Sequence, residues 1–271
     1  MEFAVIISTK DPAGINIKEA LMRLYDFKDA GNEFEGNKSY SFENITLCTT
    51  DSKSINCEDI DKKIDADMFI FATKHESQSG IPSLSVHTTG NWGEVTNDFG
   101  GRDKKLCIAP CNYLKQALRY LEENNQTDFE VVQECTHHGP FIEKPIMFIE
   151  IGSSMKQWEN KDAADTIAAT IVHITMTEPP KFKAAFGIGG LHTTPNFKKV
   201  MLKTDFAVGH VCPKYMLEKL DGDMIVQAMT RNHPSVSEIA VIDWKGLGTE
   251  KERIINILKE LDIPFAKTSD F

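Results

Sequence analysis

The chain has no CxxC pair. Its six cysteines, Cys48, Cys57, Cys107, Cys111, Cys135 and Cys212, stand singly. With no secretory context they read as reduced thiols, most of them small core residues. No apolar stretch is long enough to span a bilayer, so no membrane partner is expected. Residues Met1–Ile7 carry no basic leader and no cleavage site and read as a first strand, which makes the cytosol the expected location. Positive charge is also short: 30 Lys and Arg stand against 40 Asp and Glu, a formal net charge of −10. Proteins that hold nucleic acid by non-specific phosphate attraction are usually basic, so broad nucleic-acid binding, and DNA as a partner, are not expected. A local patch built from Lys181, Lys183, Lys198, Lys199 and Lys203 is still compatible with that balance, although the plainer reading of those lysines is a solvated surface. There is no internal repeat, low-complexity tract or Pro/Ser-rich linker. Familiar hydrolase signatures fail as well. After His75-Glu76 the second histidine of HExxH is replaced by Ser79. Neither Ser77 and Ser79 nor Ser153 and Ser154 sit in GxSxG.

What is present is an ordinary globular mixture, 41% hydrophobic and 26% charged over 271 residues, enough for one large α/β domain or two small ones. Strand-like and helix-like segments alternate along it. Phe3–Ser8, Ile45–Cys48, Met68–Ala72, Leu106–Ala109, Phe129–Glu134, Ile146–Ile151, Phe182–Ile188, Asp205–Val208 and Glu238–Trp244 read as strands. Asp11-Pro12 is an N-cap followed by proline at the first helical position, ahead of a helix over Ile15–Tyr25. Short helices are expected near Glu58–Ile64 and Lys214–Lys219. Leu114, Ala117, Leu118 and Leu121 mark a longer one, as do Ala164, Ile167, Ala168, Ile171 and Val172, and Ile254, Ile257, Leu258 and Leu261. The alternation predicts an α/β fold with a mixed, mostly parallel sheet flanked by helices. Lys74–Arg102 is the longest stretch without clear periodicity, and long ordered loops of this kind are usually functional or disordered.

Histidine placement carries the chemistry. His75, the pair His137–His138, His192 and His210 each follow a short apolar run. In open α/β sheets, ligands bind outside the carboxyl ends of strands. Several strands ending in imidazole therefore point to one site rich in metal-ligand or acid–base groups. Adjacent side chains on an extended chain point to opposite faces, so His137 and His138 need the turn at Gly139-Pro140 to reach one site together. Glu150 ends an apolar strand on the face opposite Met147, Ile149 and Ile151. A carboxylate there is costly to bury unless it pairs with a histidine, a metal or a proton in transit, or reaches solvent. Gly187-Ile188-Gly189-Gly190-Leu191-His192 is a glycine-rich turn that matches neither GxGxxG nor the P-loop, yet suits backbone approach to an anion or carbonyl oxygen. Cys135 and Cys212 each lie within three residues of one of these histidines.

Taken together, His75-Glu76-Ser77-Gln78-Ser79, Ser83–Trp92, Glu134-Cys135-Thr136-His137-His138-Gly139-Pro140, Glu150-Ile151-Gly152-Ser153-Ser154, Ala185–His192 and Gly209-His210-Val211 resemble the D-aminoacyl-tRNA deacylase family of archaeal and plant type. The resemblance spans nearly the whole chain. It implies hydrolysis of the ester between a D-amino acid and the 3′ end of tRNA, a role in translation quality control. It also implies zinc as cofactor and a single α/β domain over residues 1–271, similar to phosphorylase/hydrolase folds; a monomer is expected. On that basis His138, His192 and His210 are the metal candidates. His75, His137, Glu134 and Glu150 are the catalytic candidates, with either carboxylate as general base. Ser77, Gln78, His87, Asn91, Gly189 and Gly190 are expected to line the substrate pocket. Because tRNA needs local positive potential, a rim including Arg102, Lys104 and Lys105 is expected. Two other readings of the residues stay open: a metal-dependent hydrolase or phosphorylase of a small molecule such as a nucleoside or peptide, and a non-catalytic tRNA- or nucleotide-binding protein.

Overall fold

The computed structural model describes residues 1–95 and 99–271. In chain order the elements are β1 (Phe3–Ser8), α1 (Pro12–Leu24), β2 (Lys28–Phe34), β3 (Asn37–Phe42), β4 (Ile45–Thr50), β5 (Met68–Glu76), β6 (Ser83–His87), β7 (Ala109–Pro110) and α2 (Cys111–Asn124). They continue as β8 (Glu130–Gln133), β9 (Ile146–Ser153), α3 (Met155–Trp158), α4 (Lys161–Met176), β10 (Lys183–Ile188), α5 (Pro195–Lys203) and β11 (Phe206–Cys212). The last are α6 (Gly222–Thr230), β12 (Asn232–His233), β13 (Ile239–Ile242), α7 (Lys251–Glu260) and β14 (Phe265–Lys267). Ile60–Lys62 and Lys214–Lys219 are 3₁₀ turns.

The strands form an eight-stranded sheet in the order β2-β3-β4-β1-β5-β9-β6-β8 and a four-stranded sheet in the order β11-β10-β13-β14; β7 and β12 make a short parallel pair. Strands β4, β1, β5 and β9 run parallel, as do all four of the smaller sheet. The edge β2–β3 hairpin and the β6–β9 pairing are antiparallel. This is the mixed, mostly parallel α/β fold expected from the alternation. The hairpin carried no signal because β2 is almost wholly exposed and polar, and a strand without a buried face shows no hydrophobic period. Strand β6 lies inside the stretch where no periodicity is evident, and Leu106–Ala109 contributes only isolated bridges ahead of the two-residue β7.

One face of the large sheet packs Val5, Ile7, Ile70, Ala72, Met147, Ile149 and Ile151 against α1, α2 and α4. Asp11 fastens α1 there: its carboxylate accepts from Gly14 N at the helix start and from Lys74 N on β5. The other face has a smaller apolar floor, in which Phe71 and Phe148 stack with centroids 4.9 Å apart. Such a pair adds about 0.5–1.5 kcal/mol beyond its burial. Beyond that floor the same face turns polar, and that is where the site lies.

Candidate active site

Strand register builds the first part of the site. Thr73 on β5 is in register with Glu150 on β9, and Glu150 with Ser85 on β6. Residues in register point to one face, so two hydroxyls flank one carboxylate. Thr73 Oγ1 donates to Glu150 Oε1 at 2.6 Å and Ser85 Oγ to Oε2 at 3.5 Å. Two residues further along their strands, and hence on the same face, stand His75 and His87. Their Nδ1 and Nε2, respectively, lie 3.7 Å from Glu150 Oε2. His75 faces Gly152, where a Cβ would fall 2.3 Å from Ser83 Oγ and 3.0 Å from the imidazole Cδ2; any other residue would push the ring away.

The second part comes from the segment after β8, which stitches the two sheets together. Glu134 N donates to Val86 O of the large sheet, whereas Cys135 N reaches His192 O and Thr136 N reaches Val211 O on the small one. His138 then adopts a left-handed backbone with φ 44°. This break in strand alternation lets both neighbouring imidazoles face one site, with ring centroids 4.2 Å apart. Gly139 makes room for the turn: a Cβ there would sit 2.2 Å from Gly101 N and 2.6 Å from Ile55 O, both backbone atoms that cannot yield.

Glu134 is the hub of the site. Its side chain is fully buried; Oε2 accepts from His192 Nε2 at 2.9 Å, Oε1 faces His75 Nδ1 at 3.1 Å, and His137 Nε2 is 3.7 Å away. Burial alone would raise its carboxyl, but the bonds from His192 and His75 outweigh burial and hold it well below the usual carboxylate range. His192 responds in the opposite sense: burial opposes its charge, while Cys135 and Glu134 raise it to about 10. Cys135 Sγ lies 3.4 Å from His192 Nδ1 and 3.3 Å from the Tyr215 hydroxyl.

Three imidazoles share one arrangement. His87, His137 and His138 each place Nδ1 on a backbone carbonyl, that of Thr88 at 3.0 Å, Cys135 at 2.8 Å and Gly139 at 2.6 Å. A carbonyl can only accept, so each Nδ1 carries a proton and Nε2 is the nitrogen left free to face the site. Burial drives His137 well below its ordinary value and His138 to about 4. In His87, burial again disfavours charge, but the facing Glu150 and Glu134 raise it overall. Its Nε2 is buried and has no hydrogen-bond partner among the described residues. Among the described residues, four ligand sets have their donor atoms within 4.8 Å of one another: His87–His137–His138, Cys135–His137–His192, His75–Glu134–His192 and His87–Glu134–Glu150.

The expected residues are therefore partly brought together. His75, His137, His138, His192, Glu134 and Glu150 converge. His87, expected at the substrate, is instead buried within the cluster. His210 does not join it. It lies inside β11 rather than after it, and its nitrogens meet Thr136 Oγ1 at 3.2 Å and Arg231 O at 3.0 Å, leaving none for a metal. Ser77 and Gln78 line a cavity of ≈ 480 Å³ shared with His75 and His192. Asn91 lines a different one of ≈ 280 Å³, over His137, His138 and His192. A third of ≈ 280 Å³ runs from Lys10, Lys53 and Lys74 to His138 and Glu150. Gly189 and Gly190 pack against Asp243 and border none of these three cavities. Two of the three residues of the expected basic rim, Arg102, Lys104 and Lys105, are paired with carboxylates. Arg102 pairs with both oxygens of Asp59 and Lys104 with Asp221.

Thr73, Ser85, Cys135 and Tyr215 are the contributors without an assigned role in the sequence reading. Thr73 and Ser85 had a faint signal, each two residues before a histidine on a strand. Tyr215 had none.

Fold and site together define an α/β protein with an imidazole–carboxylate centre seated where two sheets meet. Residues 62–266 match the sequence model of the family described as D-aminoacyl-tRNA deacylase. The D-aminoacyl-tRNA deacylase of Pyrococcus furiosus is 39% identical over 97% of this chain and 99% of that protein. The one of Archaeoglobus fulgidus is 34% identical over 95% and 92%. A crystal structure solved as a conserved protein of unknown function, AF0625, superposes with a TM-score of 0.90 at 31% identity, covering 99% of this chain and 96% of that one. The chain belongs to the D-aminoacyl-tRNA deacylase family.

Proposed function

We propose that this protein hydrolyses the ester joining a D-amino acid to the 3′ end of tRNA, releasing free amino acid and tRNA, with zinc as its cofactor. Family membership supports the hydrolase and the tRNA substrate. The observation that carries the zinc reading is the trio His87, His137 and His138, with each Nδ1 fixed on a carbonyl and one donor atom from each ring within 4.8 Å of the others. Metal-bound histidines typically have this kind of outer partner. The buried Nε2 of His87, 3.7 Å from the Glu150 carboxylate, is placed to join a cation shared with that carboxylate. His87, His137 and His138 would hold the ion, with Glu150 beside them. Zinc bound there would polarise the ester carbonyl and ease deprotonation of water.

The protein's own residues then have separable tasks. Glu150, which borders the Lys10 cavity beside the imidazole trio, accepts the proton of the attacking water, while the buried Glu134 carboxylate fixes His192 and His75. His192 borders both the Ser77 and the Asn91 cavities, so it can return a proton to the departing ribose oxygen. Thr73 and Ser85 hold the Glu150 carboxylate in place. Lys10 and Lys53, on the rim of the third cavity, offer phosphate contacts that Arg102 and Lys104 cannot. Among the described residues, no helix is long and apolar enough to cross a membrane, and a cytoplasmic site of action goes with a tRNA substrate.

The test is release of D- and L-tyrosine from matched tyrosyl-tRNAs before and after chelation, with metal content measured on the same sample. D-selective release that is lost with the metal and restored by zinc is expected. Release that survives complete metal removal would retain the deacylase and overturn the zinc mechanism. No release by metal-loaded protein would overturn the substrate.

A further inference from the structure

The scissile ester joins the amino acid to the ribose of the terminal nucleotide, so that nucleotide's base lies one sugar away from the reacting carbon. Only a cavity continuous with the imidazole cluster can hold it. Three described cavities qualify, and they differ in chemistry. One is charged, with Lys10, Lys53, Asp11 and Glu76 on its walls. One is polar, with Ser77, Gln78 and Ser79. The third carries aromatic and thioether side chains: Trp92, Phe99, Tyr215 and Met216.

Phe99 and Tyr215 are 53% and 52% exposed, more than half their surface, beside that third cavity. Leaving large rings in water forgoes burial that most aromatics obtain, and exposed apolar surface next to a cleft marks a binding site. The cavity's frame is fixed. Trp92 is buried and donates Nε1–H to Thr136 O at 2.9 Å, and the Tyr215 hydroxyl is held by Cys135 and His192. Asn91 uses its amide N–H on Gly100 O, which leaves its carbonyl oxygen and the Glu94 carboxylate as acceptors at the rim. An unpaired base presents two π faces and an edge, and proteins hold such bases by stacking on aromatic rings. An exocyclic amino group, as on adenine, matches acceptors rather than donors.

We infer that the cavity lined by Phe99 and Tyr215 takes the terminal adenine of the tRNA acceptor end, stacked on those rings, while the amino acid lies toward the Ser77 cavity. This inference rests on the deacylase reading. Phe99 is the residue to change, because its side chain lines the cavity from the solvent side, is 53% exposed, and takes no part in the hydrogen bonds that fix Glu134 and the imidazoles. Phe99→Ala should lower kcat/KM on D-alanyl-tRNA and D-tyrosyl-tRNA by the same factor, roughly 5- to 150-fold for one lost base stack, and Phe99→Trp should restore it. In parallel, equilibrium dialysis with adenosine 5′-monophosphate should show binding to the wild type that Phe99→Ala weakens and Phe99→Trp keeps.

A loss that grows with the size of the amino acid, and no Phe99-dependent nucleotide binding, would make this the amino-acid pocket and overturn the inference. Unchanged kinetics in Phe99→Ala would overturn it as well. If the wild type hydrolyses neither substrate yet binds the nucleotide through Phe99, the deacylase reading fails and the base site stands.

Discussion

Replacing Thr73 by valine tests how far the site depends on the hydroxyl that holds Glu150. Valine matches threonine in shape but lacks the hydroxyl. In the native site Thr73 Oγ1 donates to Glu150 Oε1 at 2.6 Å, in a pair whose members are 2% and 3% exposed. The other hydroxyl near that carboxylate, Ser85, sits at 3.5 Å and cannot replace it. A hydrogen bond to a buried charged group contributes about 1.5–3 kcal/mol. At about 1.4 kcal/mol per decade that is roughly a 10- to 150-fold effect on any property needing an ionised, correctly turned Glu150. Outer-sphere partners of metal ligands cost 10–100-fold in affinity or activity when removed, on the order of the same size. Thr73→Val is therefore expected to weaken zinc in competition with a chelator, and to lower kcat/KM on D-tyrosyl-tRNA, each by at least about tenfold. Circular dichroism and a thermal melt would check that the fold is kept. A folded variant with wild-type zinc affinity and wild-type kcat/KM would refute the claim that the β5–β9–β6 register holds Glu150 for function.

Alanine at His87 and at His210 should separate in metal analysis. His87→Ala is expected to lose zinc and most activity, whereas His210→Ala should keep its zinc and lose only stability, by about 1–3 kcal/mol as Thr136 and Arg231 lose a buried partner; equal zinc loss in both would undo the ligand assignment. Lys10→Glu with Lys53→Glu should raise KM for charged tRNA several-fold at low salt and less at high salt, while Arg102→Glu, already balanced by Asp59, should do less; the reverse order would relocate the tRNA path. Lys115 offers a pH test away from the site. It is almost wholly buried on α2, donates to Thr204 O and Phe206 O, and is lowered by burial from 10.5 to about 8. Between about pH 8 and 10.5 the native state then binds fewer protons than the unfolded chain, so stability rises with pH across that window. Melting temperature measured from pH 7.5 to 10 should show that rise in the wild type and a smaller one in Lys115→Met; equal slopes would show that Lys115 is not its source.

Much of this protein was legible in its residues alone. Buried strands such as Phe3–Ser8 and Ile146–Ser153, and amphipathic helices such as Lys161–Met176, announce themselves because burial imposes a local period that a reader of sequence can count. The same logic put His75, Glu134, His137, His138 and Glu150 at strand ends with chemistry to perform. Tertiary structure decided the rest. Gly152 and Ser85 lie more than sixty residues apart from His75 and Glu150 respectively, and only strand register, a long-range pairing, sets them side by side. His210 looks like His192 in sequence, each within two residues of a glycine and close to a strand. One nevertheless points into packed backbone and the other at Glu134, because His210 lies inside β11 while His192 follows β10 in the turn beyond its end. His137 and His138 enter one site because a single residue takes a left-handed backbone, a choice made by the crowded Gly139 turn against Gly101 and Ile55. Periodicity is a property of neighbours in the chain, whereas a site is a property of neighbours in space. The sequence determined which groups are available, and the packing of two sheets against one another determined which of them meet.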